Sequence, residues 1–409
     1  MIATSALRWT MSTLEPKLPS RDEALTDAGK CGQIGHGKGS QPREEHMARA
    51  CDILIFGSGS FAQRIACDLA ATATEPIALG LAGRNAARLN WIATAARARA
   101  HMFGRPLRLA TYAVDLGAIG AAATLLAKLE PGVVVQAASQ QGGAVIAAGG
   151  TAWGRLVAEG GLSATAVFQA LLSARVAGAM RELALQGQLI NCCFPDVVNG
   201  ILQGMGLPVL CGIGNISILA HAFAGSLAAA DPAPDLKLLC HYQAIAAWRR
   251  PRVERTGPAP RVWLDGREID DVFARFAPVQ LTPEPVIDIS GASGVPLMLA
   301  LATGGAWRGH VPGPAGLPGG YPVVLAAGKL DLDLPAGLAR ADAVAWNARF
   351  EAENGLFIAA DGRAEFRGRL RERLAAESPA LAAGFHVADL EAVAADFREL
   401  RDRLLARPA

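Results

Sequence analysis

From residue 51 onward, short apolar runs alternate with alanine-rich stretches of helical character. The runs lie at Asp52–Phe56, Pro76–Ala82, Leu107–Val114, Gly132–Gln136 and Gln188–Cys192, with a sixth at Val209–Ile213. Runs this short and this continuously apolar suit strands buried on both faces, as in a parallel sheet covered by helices. The pattern therefore predicts an α/β fold, a Rossmann doubly wound parallel sheet. Beyond Asn215 the pattern changes. A longer amphipathic run at Lys237–Trp248, and an Asp265-Gly266 turn between Val262 and Ile269, predict an α+β domain with an antiparallel sheet. A helix is expected over Gly291–Ala302, a Pro/Gly-rich loop over His310–Tyr321, and helices over Pro335–Asn354 and much of Arg363–Arg407.

These changes divide the chain into a polar extension over 1–46 without periodicity, expected to be disordered; a dinucleotide-binding domain over 47–216; a substrate domain over 217–334; and a C-terminal helical segment over 335–409, expected to pack back on the first domain. Met47, just ahead of the first strand, is a second candidate start of translation.

Composition narrows the classes of function. Hydrophobic residues make up 51% of the 409 and charged residues 19%, which suits a packed protein rather than a disordered one. The net charge of +2 comes without a basic stripe, which argues against nucleic acid and for a small-molecule partner. The seven cysteines show no C-x-x-C pair and no zinc-ligand spacing, so reduced thiols and no metal are expected. Pro208, Asn215 and His221 interrupt the apolar stretch from Met205 to Ala224, which reads as a buried strand and turn rather than a membrane span. The first residues lack a basic segment followed by an apolar one, so a cytoplasmic enzyme is expected, and a homodimer is allowed.

The sharpest motif is Ile53-Leu-Ile-Phe-Gly57-Ser58-Gly59-Ser60-Phe61-Ala62, a strand running through G-x-G-x-x-A into a helix. Gly57 permits a tight turn, Gly59 lets backbone approach a pyrophosphate, Ala62 lets the helix sit close to the sheet, and the helix N-terminus offers free N–H groups to an anion. An NAD enzyme places a carboxylate about 20 residues further on, against the ribose hydroxyls. Here the second strand ends in Ala82-Gly83-Arg84-Asn85. A guanidinium there can take a 2′-phosphate through charge-assisted hydrogen bonds worth about 1.5 to 3 kcal/mol each, which favours NADP. By position, Asp115 follows the third strand toward the adenine, and Ala138 and Ser139 follow the fourth toward the nicotinamide.

With Leu81-Ala-Gly-Arg84-Asn and Val133-Val-Val-Gln-Ala-Ala-Ser139, this strand-loop resembles the saccharopine dehydrogenase-like family of NADP-binding oxidoreductases over roughly residues 51 to 145. The resemblance implies a Rossmann domain, NADP and a following antiparallel substrate domain. It implies no particular substrate.

Ligands in such sheets gather at the carboxyl ends of the strands, which directs attention to Asp196 and Asn199 after the fifth strand, as substrate or carboxamide contacts or as helix caps. Hydride transfer needs a proton donor or acceptor near the reacting atom. His241 and Tyr242 are the candidates, and if they lie on a strand only one of them faces the cleft. Lys237, on the same strand face as His241, is a candidate for a substrate anion, and His310 and Tyr321 flank a Gly/Pro-rich loop that reads as a lid or an interdomain link. The reading is an NADP-dependent oxidoreductase acting on a small carbonyl, imine or amino-acid-like substrate. The alternatives are a non-catalytic dinucleotide-binding sensor or partner protein and an opine-type condensing reductase.

Overall fold

Six apolar runs pair side by side in one parallel sheet: β1 (Ile53–Phe56), β2 (Ile77–Gly83), β3 (Leu107–Ala113), β4 (Val133–Gln136), β5 (Gln188–Asn191) and β6 (Cys211–Gly212), in the order β3-β2-β1-β4-β5-β6. This is the Rossmann order. The computed structural model describes residues 50–142, 150–228, 234–282 and 286–408; the extension read as disordered, residues 1–46, lies outside them. Every residue of β1 and β4 is buried, as strands covered on both faces must be. Successive side chains of β1 enter opposite layers. Ile53 and Ile55 join Ile65 of α1 (Ser60–Thr72) and Ile92 of α2 (Ala86–Met102). Leu54 and Phe56 join Leu126 of α3 (Ala121–Leu129) and Phe168 of α5 (Ala166–Glu182), the helix that follows α4 (Ala152–Gly160). The segment Leu162–Glu182 is long and apolar enough to cross a membrane, but 78% of its apolar window is buried within the protein. The apolar stretch after Met205 is divided between β6 and helix α7 (Ile216–Leu227), and the helix before it is α6 (Pro195–Gly204).

Beyond α7 lie three small antiparallel sheets. The first is β7 (Leu236–Leu239), β8 (Arg261–Leu264) and β9 (Arg267–Glu268), turned at Asp265-Gly266 with φ of 50° and 78°, the left-handed pair that a two-residue hairpin requires. The second is β10 (Trp307–Pro312), β11 (Gly320–Ala326) and β12 (Lys329–Leu332), which follows helix α8 (Val295–Thr303). The third is β13 (Gly355–Ile358), β14 (Arg363–Arg367) and β15 (Phe385–His386), preceded by α9 (Arg340–Glu353) and interleaved with α10 (Gly368–Glu377).

Three expectations are corrected here. The strand foreseen over Lys237–Trp248 stops at Leu239: Cys240 bridges to Gly320, His241 Nδ1 accepts the Gln243 N–H at 3.4 Å, and a 3₁₀ helix runs from Tyr242 to Arg249. The loop foreseen over His310–Tyr321 shortens to the link between β10 and β11, because His310 and Tyr321 are themselves strand residues. Arg363–Arg367 is a strand rather than helix, and its period of two is visible in buried Ala364 and Phe366 between outward-facing neighbours.

The final helix, α11 (Leu390–Leu405), lies against α4 and α5. Its Phe397 is fully buried, with ring centroids 6.3 Å from Phe168 and 5.7 Å from Phe366, and Trp153 packs edge-on to Phe168 at 5.9 Å. Arg175 and Glu391 add a two-pronged ion pair at 2.6 and 2.8 Å. Phe397→Ala should therefore lower the free energy of unfolding by about 3 to 5 kcal/mol, read as a shifted midpoint in urea denaturation.

Candidate functional site

Two cavities open at the carboxyl ends of the parallel strands, where the order of the sheet reverses around β1. The first, about 470 Å³, is lined by Gly57, Ser58 and Gly59 after β1, by Gly83, Arg84 and Asn85 after β2, by Asp115 after β3, and by Ala138, Ser139 and Gln140 after β4. Gly57 has φ +134°, and a Cβ on it would stand 3.0 Å from the carbonyl carbon and oxygen of Ala137. Only glycine fits there. Nothing stands within 4 Å of a Cβ built on Gly59, which leaves room for a ligand against the backbone. Gly59 is also the N-cap of α1 and brings no side chain to satisfy the first-turn N–H groups, so they remain available to an anion.

Most of the residues expected at the cofactor thus share one cavity, while three take other positions. Ala62 is buried between helix and sheet, Ser60 is exposed at the start of α1, and Phe61 turns toward the second cavity. Arg84 is largely exposed and lies 3.9 Å from Asp115, whose carboxylate also accepts the Gly117 N–H. An exposed pair at that distance contributes little and leaves the guanidinium open to a stronger anion. Asn85 caps α2 by accepting the Arg88 N–H at 2.9 Å. Sequence reasoning missed Arg398 and Arg401, which line the same cavity from α11.

The second cavity, about 420 Å³, lies at the ends of β5 and β6. Phe61, Gln169, Cys192, Phe194, Asn215, Tyr242, Arg249 and Ser290 are among its lining residues, and among the described residues no carboxylate lines it. Behind it runs a chain of buried polar groups. Tyr242 Oη lies 3.1 Å from Ser163 Oγ, and Ser163 donates to Glu351 Oε2 at 2.7 Å. Glu351 Oε2 also accepts the Leu356 N–H at 2.6 Å, and its Oε1 lies 3.3 Å from His241 Nε2, without the direction of a hydrogen bond. Burial holds the Tyr242 phenol well above its ordinary pKa, so it keeps its proton.

Of the catalytic candidates, Tyr242 lines this cavity and His241 does not. His241 is fully buried and stacks on Phe350 at 4.8 Å. Asp196 and Asn199 do not cap the helix they belong to, because the N-cap of α6 is Phe194. Asp196 accepts the Tyr242 N–H at 2.9 Å and bonds the Asn215 amide; burial raises its carboxyl above the usual range, opposed by nearby His241. The Asn199 side chain is committed within the protein interior, donating to Gly313 O at 2.9 Å and accepting from Asn191 at 2.8 Å. Glu351 went unnoticed because nothing local in α9 marks it. Its role arises from contacts across the fold, such as the one to Ser163.

The remaining substrate candidates lie elsewhere. Tyr321 is buried and donates to Pro318 O at 2.7 Å. The β10–β11 link packs on α6, with Gly313 against Asn199 and Gly316 against Gln203, so it is a packed connection and not an open lid. Lys237 forms an ion pair with Asp333 at 2.8 Å, and with His310 it lines a separate cavity of about 190 Å³. Asn199, Lys237, His310 and Tyr321 all lie outside the lining of both strand-end cavities. Among the described residues no cluster of His, Cys, Asp or Glu could hold a metal ion.

No family model matches the chain, and no curated protein matches it. Solved structures do. A malate dehydrogenase from Salinibacter ruber is 13% identical with a TM-score of 0.45, covering 86% of this chain and 99% of that one. The malate dehydrogenase from Picrophilus torridus is 11% identical with a TM-score of 0.49 and the same coverage of 86% and 99%. The lactate dehydrogenase from Cryptosporidium parvum, complexed with lactic acid and nicotinamide adenine dinucleotide, is 14% identical with a TM-score of 0.47, covering 73% and 93%. Likeness this slight does not bear on activity. The Rossmann assignment stands on the sheet order itself.

His310 has a measurable role in stability. Its Nε2 accepts the Leu238 N–H at 3.1 Å, and burial, helped by His221 and Lys237, lowers its pKa from 6.5 to about 3. The unfolded chain therefore binds a proton that the folded chain refuses between those values, and stability is lost as pH falls from 6.5 toward 3. His310→Asn, which keeps an acceptor, should flatten the acid side of the stability curve, measured by denaturant unfolding at pH 7 and pH 4.

Proposed function

We propose that the chain is an NADP(H)-dependent oxidoreductase of saccharopine dehydrogenase-like type, acting on a small carbonyl, imine or amino-acid-like substrate. The observation that carries this reading is the first cavity: the Gly57–Gly59 turn, the uncapped α1 N-terminus and Arg84 share one crevice at the strand ends. The glycine cradle fits a pyrophosphate, and the absence of a carboxylate from Gly83-Arg84-Asn85 favours a 2′-phosphate over free ribose hydroxyls. When bound, the dinucleotide supplies or accepts the hydride, and the protein contributes position and proton supply.

The second cavity is the substrate site in this reading. Phe61 extends from the α1 first turn to its wall, and Cys193, beside the lining Cys192, bonds Ala138 O of the first cavity at 3.3 Å, so the two cavities are neighbours. Among the described residues of the lining Arg249 is the cation and no carboxylate faces it, which suits a substrate bearing an anionic group. Tyr242 holds its proton at the phenol oxygen, which Ser163 positions, and Ser163 is held in turn by Glu351. His241 and Asp196 orient Tyr242 from behind, through Glu351 and through the Tyr242 backbone N–H.

The test is a fluorescence titration with NADPH and NADH side by side, followed by a screen of 2-oxo acids with and without an amine. Arg84→Ala should weaken NADPH binding by roughly tenfold or more and NADH far less; equal loss for both removes the 2′-phosphate assignment. Tyr242→Phe should lower turnover by roughly 10²- to 10⁴-fold with dinucleotide affinity unchanged. Selective binding without turnover on any substrate would favour the sensor, and turnover only with a 2-oxo acid and an amine together would identify a condensing reductase.

A further inference from the structure

The glycine turn offers backbone N–H groups but no cation that lines the cavity: α1 has no basic residue in its first or last turn, Arg64 in between faces Asp68 and Asp288, and Arg88 of α2, the cation beside the turn, donates to Ser58 O at 3.3 Å and to Gln63 and lies outside the lining. A pyrophosphate bound there would bring two negative charges. Among the described residues, positive charge in the cavity comes from Arg84, Arg398 and Arg401, and the one carboxylate in the lining, Asp115, lies beside Arg84. Arg398 and Arg401 are contributed by α11, the last helix of the chain.

The surroundings of Arg398 point to an anion, while Arg401 is already ion-paired with Asp402. Arg398 is exposed and donates to Gln140 Oε1 at 3.3 Å, a neutral acceptor, and no carboxylate pairs with it among the described residues. Arg401 is pinned in place. Its guanidinium lies 4.6 Å from the Phe168 ring centroid, and its Nε and Nη2 both donate to Asp402 Oδ1, at 3.0 and 2.9 Å. Such stacking fixes a planar donor at low entropic cost. Gln140 follows β4 and its backbone N–H donates to Phe168 O at 3.2 Å, so both arginines stand on the β4 side of β1, whereas Arg84 stands on the β2 side. The reversal between β2 and β4 is where a dinucleotide passes its phosphates over such a sheet.

We propose that α11 is part of the cofactor site: Arg398 and Arg401 hold the pyrophosphate of the dinucleotide together with the Gly57–Gly59 turn, and Arg84 is left to the 2′-phosphate. This rests on the dinucleotide reading above. The two groups of cations then make separate contributions. Arg398 and Arg401 set affinity for any dinucleotide, and Arg84 sets the preference between the two.

The experiment titrates the full chain with NADPH and with NADH, using wild type, Arg398→Gln, Arg401→Lys and Arg398→Lys. Arg398→Gln should weaken both ligands by the same factor, roughly tenfold, and leave their ratio unchanged. Arg398→Lys should recover part of the loss, because the charge remains while the forked donor is gone. Arg401→Lys, which keeps the charge, should weaken both ligands equally by losing the planar donor stacked on Phe168. Unchanged affinity in Arg398→Gln, with wild type binding normally, overturns the proposal, and so does a loss confined to NADPH, which would move these arginines to the 2′-phosphate. If wild type binds neither dinucleotide, the dinucleotide reading itself fails and takes this proposal with it.

Discussion

The passage of Gly57 against the Ala137 peptide is the constraint on which the rest of the molecule turns. At 3.0 Å from where a Cβ would sit, the backbone after β4 closes on the backbone after β1. That contact is possible only because β1 lies between β2 and β4, hydrogen-bonded to both. Connections leaving the sheet on either side of β1 part company and open a crevice above it. Both strand-end cavities, the uncapped N-terminus of α1 and the arginines of three different segments are arranged around that opening.

A second level of organisation is polar and buried. Asn199 joins β5 to the β10–β11 link through Asn191 and Gly313, Asp196 joins α6 to Asn215 and the Tyr242 backbone, and Glu351 joins α9 to Ser163 and to the start of β13. Removing one partner from such a network leaves another group desolvated and unpaired, at a cost of about 1 to 3 kcal/mol each. The antiparallel sheets are thereby held in register with the parallel one by directional bonds, which apolar contact alone does not supply. Tyr242 gains its place on the wall of the second cavity from this network.

What was legible in the sequence follows the same division. The parallel strands announce themselves because both faces are buried, so β1 and β4 are apolar without interruption. The glycine motif is legible because each small residue answers a steric demand made by its near neighbours in the chain and by the adjoining strand. The peripheral sheets are harder, since a half-exposed strand such as β12 shares its alternation with many short segments. His241 and Tyr242 read as strand because apolar residues surround them, whereas the Cys240–Gly320 bridge and the Gln243 N–H bond to His241 end the strand there. Neither bond is visible in a local pattern. The helical character of α11 was legible, but the meeting of Arg398 with Gln140 joins residues 258 positions apart and belongs to the fold as a whole.

The docking of α11 shows how such a distant contact is made reliable. A long arginine side chain loses about 2 kcal/mol of rotamer freedom when held, so a phosphate-facing guanidinium is useful only if its helix is already fixed. Phe397, next to Arg398, is buried against Phe168 and Phe366, while Leu400 and Leu404 continue the same buried face. Arg401 rests on the same Phe168 ring that Phe397 meets edge-on. One aromatic side chain of α5 therefore seats the helix and orients a cation at once. Since Phe168 also accepts the Gln140 N–H through its carbonyl, the segment after β4 and the last helix are positioned by a single residue.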